Sequence, residues 1–261
     1  KHYGIEVATK RLIPFTDAID QLLETHPKLI FYCARGGYRS SSVTGLYKGL
    51  GYPVLKLDGG YKHYRHYVNE MLPELISKRN FMTLFGNTGS GKTLILEALK
   101  DKGYPVIDLE GLANHRGSIL GGVGLGPQPT QKMFEAYLLN ALKALPEGDV
   151  FIEGESRKIG SVFVPDALME KMEEGLKVLV KSSLERRVER IRADYTSDDE
   201  RLIELFNRFR RYLSNEVVDE YINRVREKDY EPVIRSLMVD YYDKNYSTDR
   251  RQHDVIIQHE D

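Results

Sequence analysis

The chain has 261 residues, 30% of them charged, and its 38 Lys and Arg against 39 Asp and Glu leave a net charge of −1. That balance excludes a uniformly basic nucleic-acid coat, so any polyanionic partner must use local patches. A single cysteine excludes an intrachain disulfide and a cysteine-cluster zinc site, and it points to a reducing compartment.

In chain order, Phe15, Ala18, Ile19, Leu22 and Leu23 are spaced for a helix over 15–25, which Pro27 ends. Leu29-Ile30-Phe31-Tyr32 reads as a buried strand with Cys33 at its C-terminal end. A helix is expected from Ser40 to Leu50, closed by Gly51, then a short strand from Pro53 to Leu57. Asp58-Gly59-Gly60-Tyr61 is a turn, and residues 61–78 read as a helical connector. A second unit opens near Asn80, with a strand over 81–85, a glycine-rich loop and a helix from Thr93 to Lys102. Val106–Leu109 is the next strand, and residues 111–130 read as a long glycine- and proline-rich loop. A helix over 131–145 and strands at 150–152 and 176–180 follow. From about 184 to 244 the pattern is helical and heavily charged, read as solvated helix faces, and Val255-Ile256-Ile257 is an expected edge strand. Alternating strands and helices argue for an α/β fold whose parallel sheet binds ligands at the C-terminal ends of its strands. Two domains are expected, over 1–75 and 79–261, the second with a helical C-terminal region. The first 78 residues carry 11 basic against 7 acidic groups, and the remainder 27 against 32.

Cys33-Ala34-Arg35-Gly36-Gly37-Tyr38-Arg39-Ser40 is the first site. A thiol of pKa ~8.5 is mostly protonated at neutral pH. At a strand end, before a helix N-terminus and beside Arg35 and Arg39, it is expected to become thiolate. Backbone N–H groups around Gly36 and Gly37 would form an anion nest. The alternative is an inert buried cysteine, against which two arginines and two glycines within six residues weigh.

Gly86-Asn87-Thr88-Gly89-Ser90-Gly91-Lys92-Thr93 is a complete Walker A between an expected strand and an expected helix. Its amides would surround a di- or triphosphate, Lys92 would bridge the oxygens, and Thr93 would ligate Mg²⁺. Glu153 or Glu155 at a strand end would hold Mg²⁺ through water or act as a base, with Asp108 and Glu110 competing for the role. His115, Arg116 and Arg157 are candidate phosphate contacts. Arg186, Arg187 and Arg190 form either a lid over phosphates or a solvated helix face. Lys62 and Arg65, and Arg208 and Arg211 with Tyr212, are basic clusters that a nucleic acid could meet, with solvated helix as the competing reading.

The cysteine loop and Leu57-Asp58-Gly59-Gly60-Tyr61 resemble the rhodanese family, of whose domain about half would be missing here. Five residues separate Cys33 from Arg39, one more than in common sulfurtransferase members. That longer ring resembles the phosphatase and arsenate-reductase relatives of the fold, so attack on phosphorus, sulfur or selenium stays open. Joined to the Walker A, and with Asp108-Leu109-Glu110-Gly111-Leu112-Ala113-Asn114-His115-Arg116-Gly117-Ser118 and Glu153-Gly154-Glu155-Ser156-Arg157-Lys158-Ile159-Gly160, the whole resembles the tRNA 2-selenouridine synthase family. The resemblance implies a partial rhodanese-like domain followed by a P-loop NTPase-like domain. It implies conversion of wobble 2-thiouridine in tRNA to 2-selenouridine through an S-geranyl intermediate. Geranyl diphosphate and selenophosphate are the implied substrates, with Mg²⁺ assisting and Cys33, Arg39 and Lys92 catalytic. The implied partners are tRNA, the enzyme that makes selenophosphate, and a separate chain completing the first domain. Competing readings are a cysteine phosphatase with a fused regulatory ATPase and a nucleotide-gated tRNA-binding protein.

No apolar run approaches the ~18 residues of a membrane span. With no signal peptide visible, a cytoplasmic protein without a membrane partner is expected. The chain starts at Lys1 rather than Met, as expected of a trimmed, split or engineered N-terminus.

Overall fold

The computed structural model describes residues 2–118, 121–154, 156–195, 199–245 and 252–260. The chain divides into two compact units, Lys1–Glu70 and Met71–Asp261.

In the first unit α1 (His2–Thr25) precedes β1 (Leu29–Phe31), α2 (Tyr38–Gly49), β2 (Val54–Lys56) and the start of α3 (Gly60–Ser77). β1 and β2 pair in parallel, Leu29 opposite Val54. Ile19, Tyr47 and Val54 form the core, with Leu23, Leu29, Phe31, Val43 and Tyr52 packed on it. The Tyr47 ring meets Phe15, Phe31 and Tyr52, the last edge-on at 5.2 Å. The first helix begins far earlier than the expected residue 15 and runs through Pro14. Proline there removes one N–H and crowds one carbonyl, which costs stability without ending the helix.

The second unit is a five-stranded parallel sheet in the order β4-β5-β3-β8-β9. Its strands are β3 (Arg79–Phe85), β4 (Val106–Ile107), β5 (Gly148–Glu153), β8 (Leu176–Lys181) and β9 (Val255–Gln258). β6 (Lys158–Ile159) and β7 (Val162–Phe163) make a separate antiparallel hairpin. α4 (Lys92–Asp101), α5 (Leu109–Ala113), α6 (Gln131–Ala144) and α7 (Asp166–Glu174) link these strands. β3 is central, and Phe81, Thr83, Leu84 and Phe85 are all buried, so both its faces are covered. Buried Arg79 donates to the carbonyls of Leu75, Leu142 and Leu145, which collects the last carbonyls of α3 and α6.

α8 (Leu184–Tyr195), α9 (Asp199–Phe209), α10 (Asn215–Arg226), α11 (Tyr230–Ser236), a π-helical turn (Leu237–Tyr242) and α12 (Asp243–Asn245) intervene before β9. These are not solvated all round. Leu202, Leu205, Phe206 and Phe209 are buried together with Val218, Tyr221, Ile222 and Val225. Apolar residues at helical spacing build a core there, and the charges cover only the outer faces. Among the described residues, no helix is long and apolar enough to cross a membrane.

Candidate functional site

The Walker loop connects central β3 to α4, so it lies at the C-terminal end of the sheet, where parallel sheets bind ligands. Gly89 and Gly91 adopt φ of +78° and +92°, open to glycine at low cost. A Cβ on Gly86 would lie 2.5 Å from Ser90 Oγ and 2.6 Å from the Val180 carbonyl, so the loop can pass β8 only without a side chain. The carbonyls from Gly86 to Gly89 are all engaged. Gly86 O accepts from Lys92 Nζ at 2.9 Å, and Asn87 O from Ser90 N at 3.0 Å. Thr88 O accepts from Arg187 Nε at 2.9 Å, and Gly89 O from Arg190 Nη1 at 3.2 Å. With its carbonyls held this way, the loop offers its amide edge to an anion.

Arg187 is buried and its other two nitrogens form a fork on Asp243, at 2.9 and 2.6 Å. Asp243 Oδ1 also accepts from Asn87 Nδ2 at 3.1 Å. Of the three candidate arginines on α8, 187 and 190 therefore support the loop. Arg186 is exposed and pairs with Glu189 at 3.0 Å, not with the loop. Helical geometry explains the split, because residues three apart share a face and adjacent ones do not. The far end of the chain also reaches this site. A Cβ on Gly91 would lie 2.3 Å from the His259 ring. Glu260 accepts from the amide and hydroxyl of Ser183, at 3.0 and 2.8 Å. Sequence reasoning missed Asp243, His259 and Glu260, none of which carries a local motif.

Thr93 lies half-buried in the first turn of α4. Glu153, fully buried, ends β5 opposite Leu84 of β3, and its Oε1 accepts from Glu110 N at 2.5 Å. Asp108 caps α5 by accepting from Gly111 N at 2.7 Å. Glu155 lies outside the described residues. Beyond α5, the described residues of the stretch 111–130 form the expected loop, which side chains brace. Gln128 donates to the carbonyls of Ala113 and Ile159 and accepts from Ser161 N. Asn114 donates to those of Gly126 and Pro127. Arg116 Nη1 donates to Val123 O at 2.8 Å within the same stretch. His115 packs over Gly121, its Nδ1 is buried without a hydrogen bond, and burial, then the Arg116 charge, holds its pKa down. Arg157 is exposed and pairs with Asp166 at 2.7 Å.

In the first unit, Cys33 sits just beyond β1 and Ser40 in the first turn of α2. Cys33 Sγ lies 3.2 Å from Ser40 Oγ. The thiol is lowered to about 6, first by the Ser40 hydroxyl, then by the Ser40 amide, with the Arg35 and Gly37 backbones adding to it against desolvation. Hydrogen bonds to the thiolate thus dominate, where sequence reasoning emphasised the guanidinium charges. Arg35 and Arg39 are exposed. The Gly59-Gly60 turn braces the cradle from behind. Tyr61 N donates to Cys33 O and Lys62 N to Ala34 O, both at 2.9 Å. Gly60 has φ +62°, and a Cβ there would lie 2.1 Å from Cys33 O and 2.2 Å from Gly36 N.

Residues 79–221 match the model of the tRNA 2-selenouridine synthase AAA domain. The chain belongs to the tRNA 2-selenouridine synthase family. A protein of that name from Hydrogenovibrio crunogenus is 34% identical over 92% of this chain and 73% of its own length. Namesakes from Nitrosomonas eutropha and Marinobacter nauticus are 36% and 38% identical over 71% and 69% of this chain. The chain spans only 47% and 48% of those two. A Thermus thermophilus protein of solved structure aligns at a TM-score of 0.29 and 20% identity, over 62% of this chain and 98% of its own.

The family's name gives the basic clusters their interest. Lys62 is exposed, and Arg65 Nη2 donates to Asn69 Oδ1 at 3.0 Å. Arg208 pairs with Glu204 at 3.0 Å and Arg210 with Asp219 at 2.5 Å, so much of the second cluster is compensated. Arg211 and Tyr212 stay exposed.

Proposed function

We propose that this chain converts wobble 2-thiouridine of tRNA to 2-selenouridine in two steps, one at each cradle. The observation that carries the proposal is a Walker loop with every carbonyl from Gly86 to Gly89 engaged, in the same chain as a thiol lowered to about 6 inside a glycine-rich turn.

In the first step the thiocarbonyl sulfur attacks C1 of geranyl diphosphate, the C–O bond breaks, and diphosphate leaves. The Gly86–Thr93 loop holds the departing diphosphate, with Lys92 and the amides taking up the charge. Thr93 and the buried carboxylate of Glu153 fit the needs of Mg²⁺, which takes one or two protein oxygens and completes its shell with phosphate and water. The ion would add charge neutralisation on the leaving group. In the second step selenium from selenophosphate adds at C2 of the base and geranylthiolate departs. The phosphate is released after its P–Se bond is cleaved by water. The ring from Cys33 to Arg39 holds selenophosphate, and Cys33 aids the transfer. The parallel β1/β2 pair, with α2 between the two strands, supports reading the first unit as part of a rhodanese-like domain, which a separate chain would complete. Selenophosphate then arrives from the enzyme that makes it, and the reaction is cytoplasmic. Lys62, Arg65 and Arg211 are the proposed tRNA contacts, with Arg208 secondary because Glu204 already pairs with it.

Mass spectrometry of tRNA nucleosides after incubation with geranyl diphosphate and selenophosphate tests this reading. Cys33→Ala is expected to keep geranylation and lose selenation, and Lys92→Ala to lose geranylation. Loss of both activities in Cys33→Ala would refute the division of labour. The five-residue spacing between Cys33 and Arg39 favours a second reading, cysteine phosphatase chemistry. Phosphomonoester or arsenate turnover with no tRNA product would support that reading instead.

A further inference from the structure

We propose that Asp243 is a positioning residue for the Walker loop, acting through Arg187 to fix the direction of one peptide group in the anion cradle. The inference rests on the reading of that loop as a cradle for diphosphate.

Asp243 opens α12 directly after the π-helical turn, far from the Walker motif in sequence. Three hydrogen bonds tie its carboxylate to the loop side. Oδ2 accepts from Arg187 Nη1 at 2.9 Å, and Oδ1 accepts from Arg187 Nη2 at 2.6 Å and from Asn87 Nδ2 at 3.1 Å. The neighbouring Lys244 pairs with Asp240 at 3.1 Å and does not draw the carboxylate away. With both prongs of its fork held, Arg187 presents Nε to the Thr88 carbonyl at 2.9 Å. The Arg187 side chain is only 7% exposed, so water competes little for that contact.

The direction of the Thr88 carbonyl decides where the next amide points. A planar trans peptide sends its C=O and N–H to opposite sides. Holding Thr88 O on the buried arginine therefore turns the Gly89 N–H away from α8, towards the open side of the loop. Gly89 itself lies close against α8, where a Cβ would come within 2.9 Å of the Arg187 carbonyl. A nest binds an anion only when its N–H groups are already aimed at it. Stability alone does not call for an ion pair here. Burying two charges costs desolvation that offsets their attraction, so an apolar pair of similar volume is about as stable. An apolar pair, however, cannot hold a carbonyl. The two roles of Asp243 and Arg187 can therefore be separated by substitution.

The test combines Arg187→Met with Asp243→Leu in the whole chain. Chemical denaturation reads stability, and isothermal titration with inorganic pyrophosphate and Mg²⁺ reads the cradle. The double variant is expected to unfold close to the midpoint of the unaltered chain. Its pyrophosphate affinity should nonetheless fall roughly 10-fold or more, the worth of one hydrogen bond to a charged group. Restored stability together with full affinity overturns the proposal, because the pair would then be structural only. If the double variant fails to fold, Asp243→Asn decides. It keeps the volume but leaves one acceptor oxygen for the Arg187 fork. Several-fold weaker pyrophosphate binding supports the proposal, and unmoved binding overturns it. Pyrophosphate binding that Lys92→Ala leaves intact overturns the diphosphate reading itself. Lys92-dependent binding that the Asp243 variants do not weaken overturns the role of Asp243 alone.

Discussion

Gly60 and Ser40 do different jobs for the same thiol. Gly60 lets the turn before α3 press against the cysteine loop, where a methyl would overlap both Cys33 O and Gly36 N. Gly60→Ala is expected to destabilise the first unit by about 2 kcal/mol through overpacking and a left-handed φ. A thermal melt checks this, and the same variant should lose the fast low-pH alkylation of Cys33. Ser40 sets the charge instead. Its hydroxyl leads the interactions that hold Cys33 at about 6. Ser40→Ala should move the midpoint of Cys33 alkylation by iodoacetamide upward, towards the ordinary thiol value of ~8.5. At pH 6 the rate should fall several-fold, because less thiolate is present. An unmoved midpoint would return the credit to Arg35 and Arg39.

At the scale of elements, α8 turns one face to the Walker loop and the other to water. Arg187→Ala removes a buried guanidinium and strands the partly buried carboxylate of Asp243, at a cost of about 3 kcal/mol. It should also loosen the loop at Thr88 and weaken pyrophosphate binding. Arg186→Ala removes only an exposed pair and is expected to stay within about 0.5 kcal/mol. Chemical denaturation of the two variants side by side measures the contrast. The sequence made the Walker loop legible because its motif and its strand–helix context are contiguous, and β9 was legible from three apolar residues. It did not reveal Asp243, whose partners Arg187 and Asn87 lie 56 and 156 residues away. Arg187 and its exposed neighbour look alike in sequence, since only the register of the helix against the loop separates them. Gln128 was missed for a similar reason. A single amide braces the stretch by reaching the carbonyls of Ala113 and Ile159, and composition alone reads that stretch as a loop.

For the molecule as a whole, one half-buried histidine links stability to pH. Burial holds the pKa of His115 below its usual value, so below about 6.5 the unfolded chain takes up this proton more readily than the folded one. The contribution is fully present above that pH and is lost as pH falls towards the folded value. Melting temperature should therefore drop between pH 7 and pH 5.5, and His115→Gln should flatten that drop. An identical pH profile in the variant would sink the assignment. The position of β9 has a further consequence, for protein synthesis. β8 is finished at Lys181, but its outer neighbour begins only at Val255, after six helical elements have been made. Until then a nascent chain carries an open strand edge of Val178, Leu179 and Val180, a template for pairing with stray strands. His259 and Glu260, which close the flank of the Walker loop, emerge later still. A ribosome that stalls before Val255 thus releases a product with an open strand edge and a Walker loop lacking its C-terminal flank.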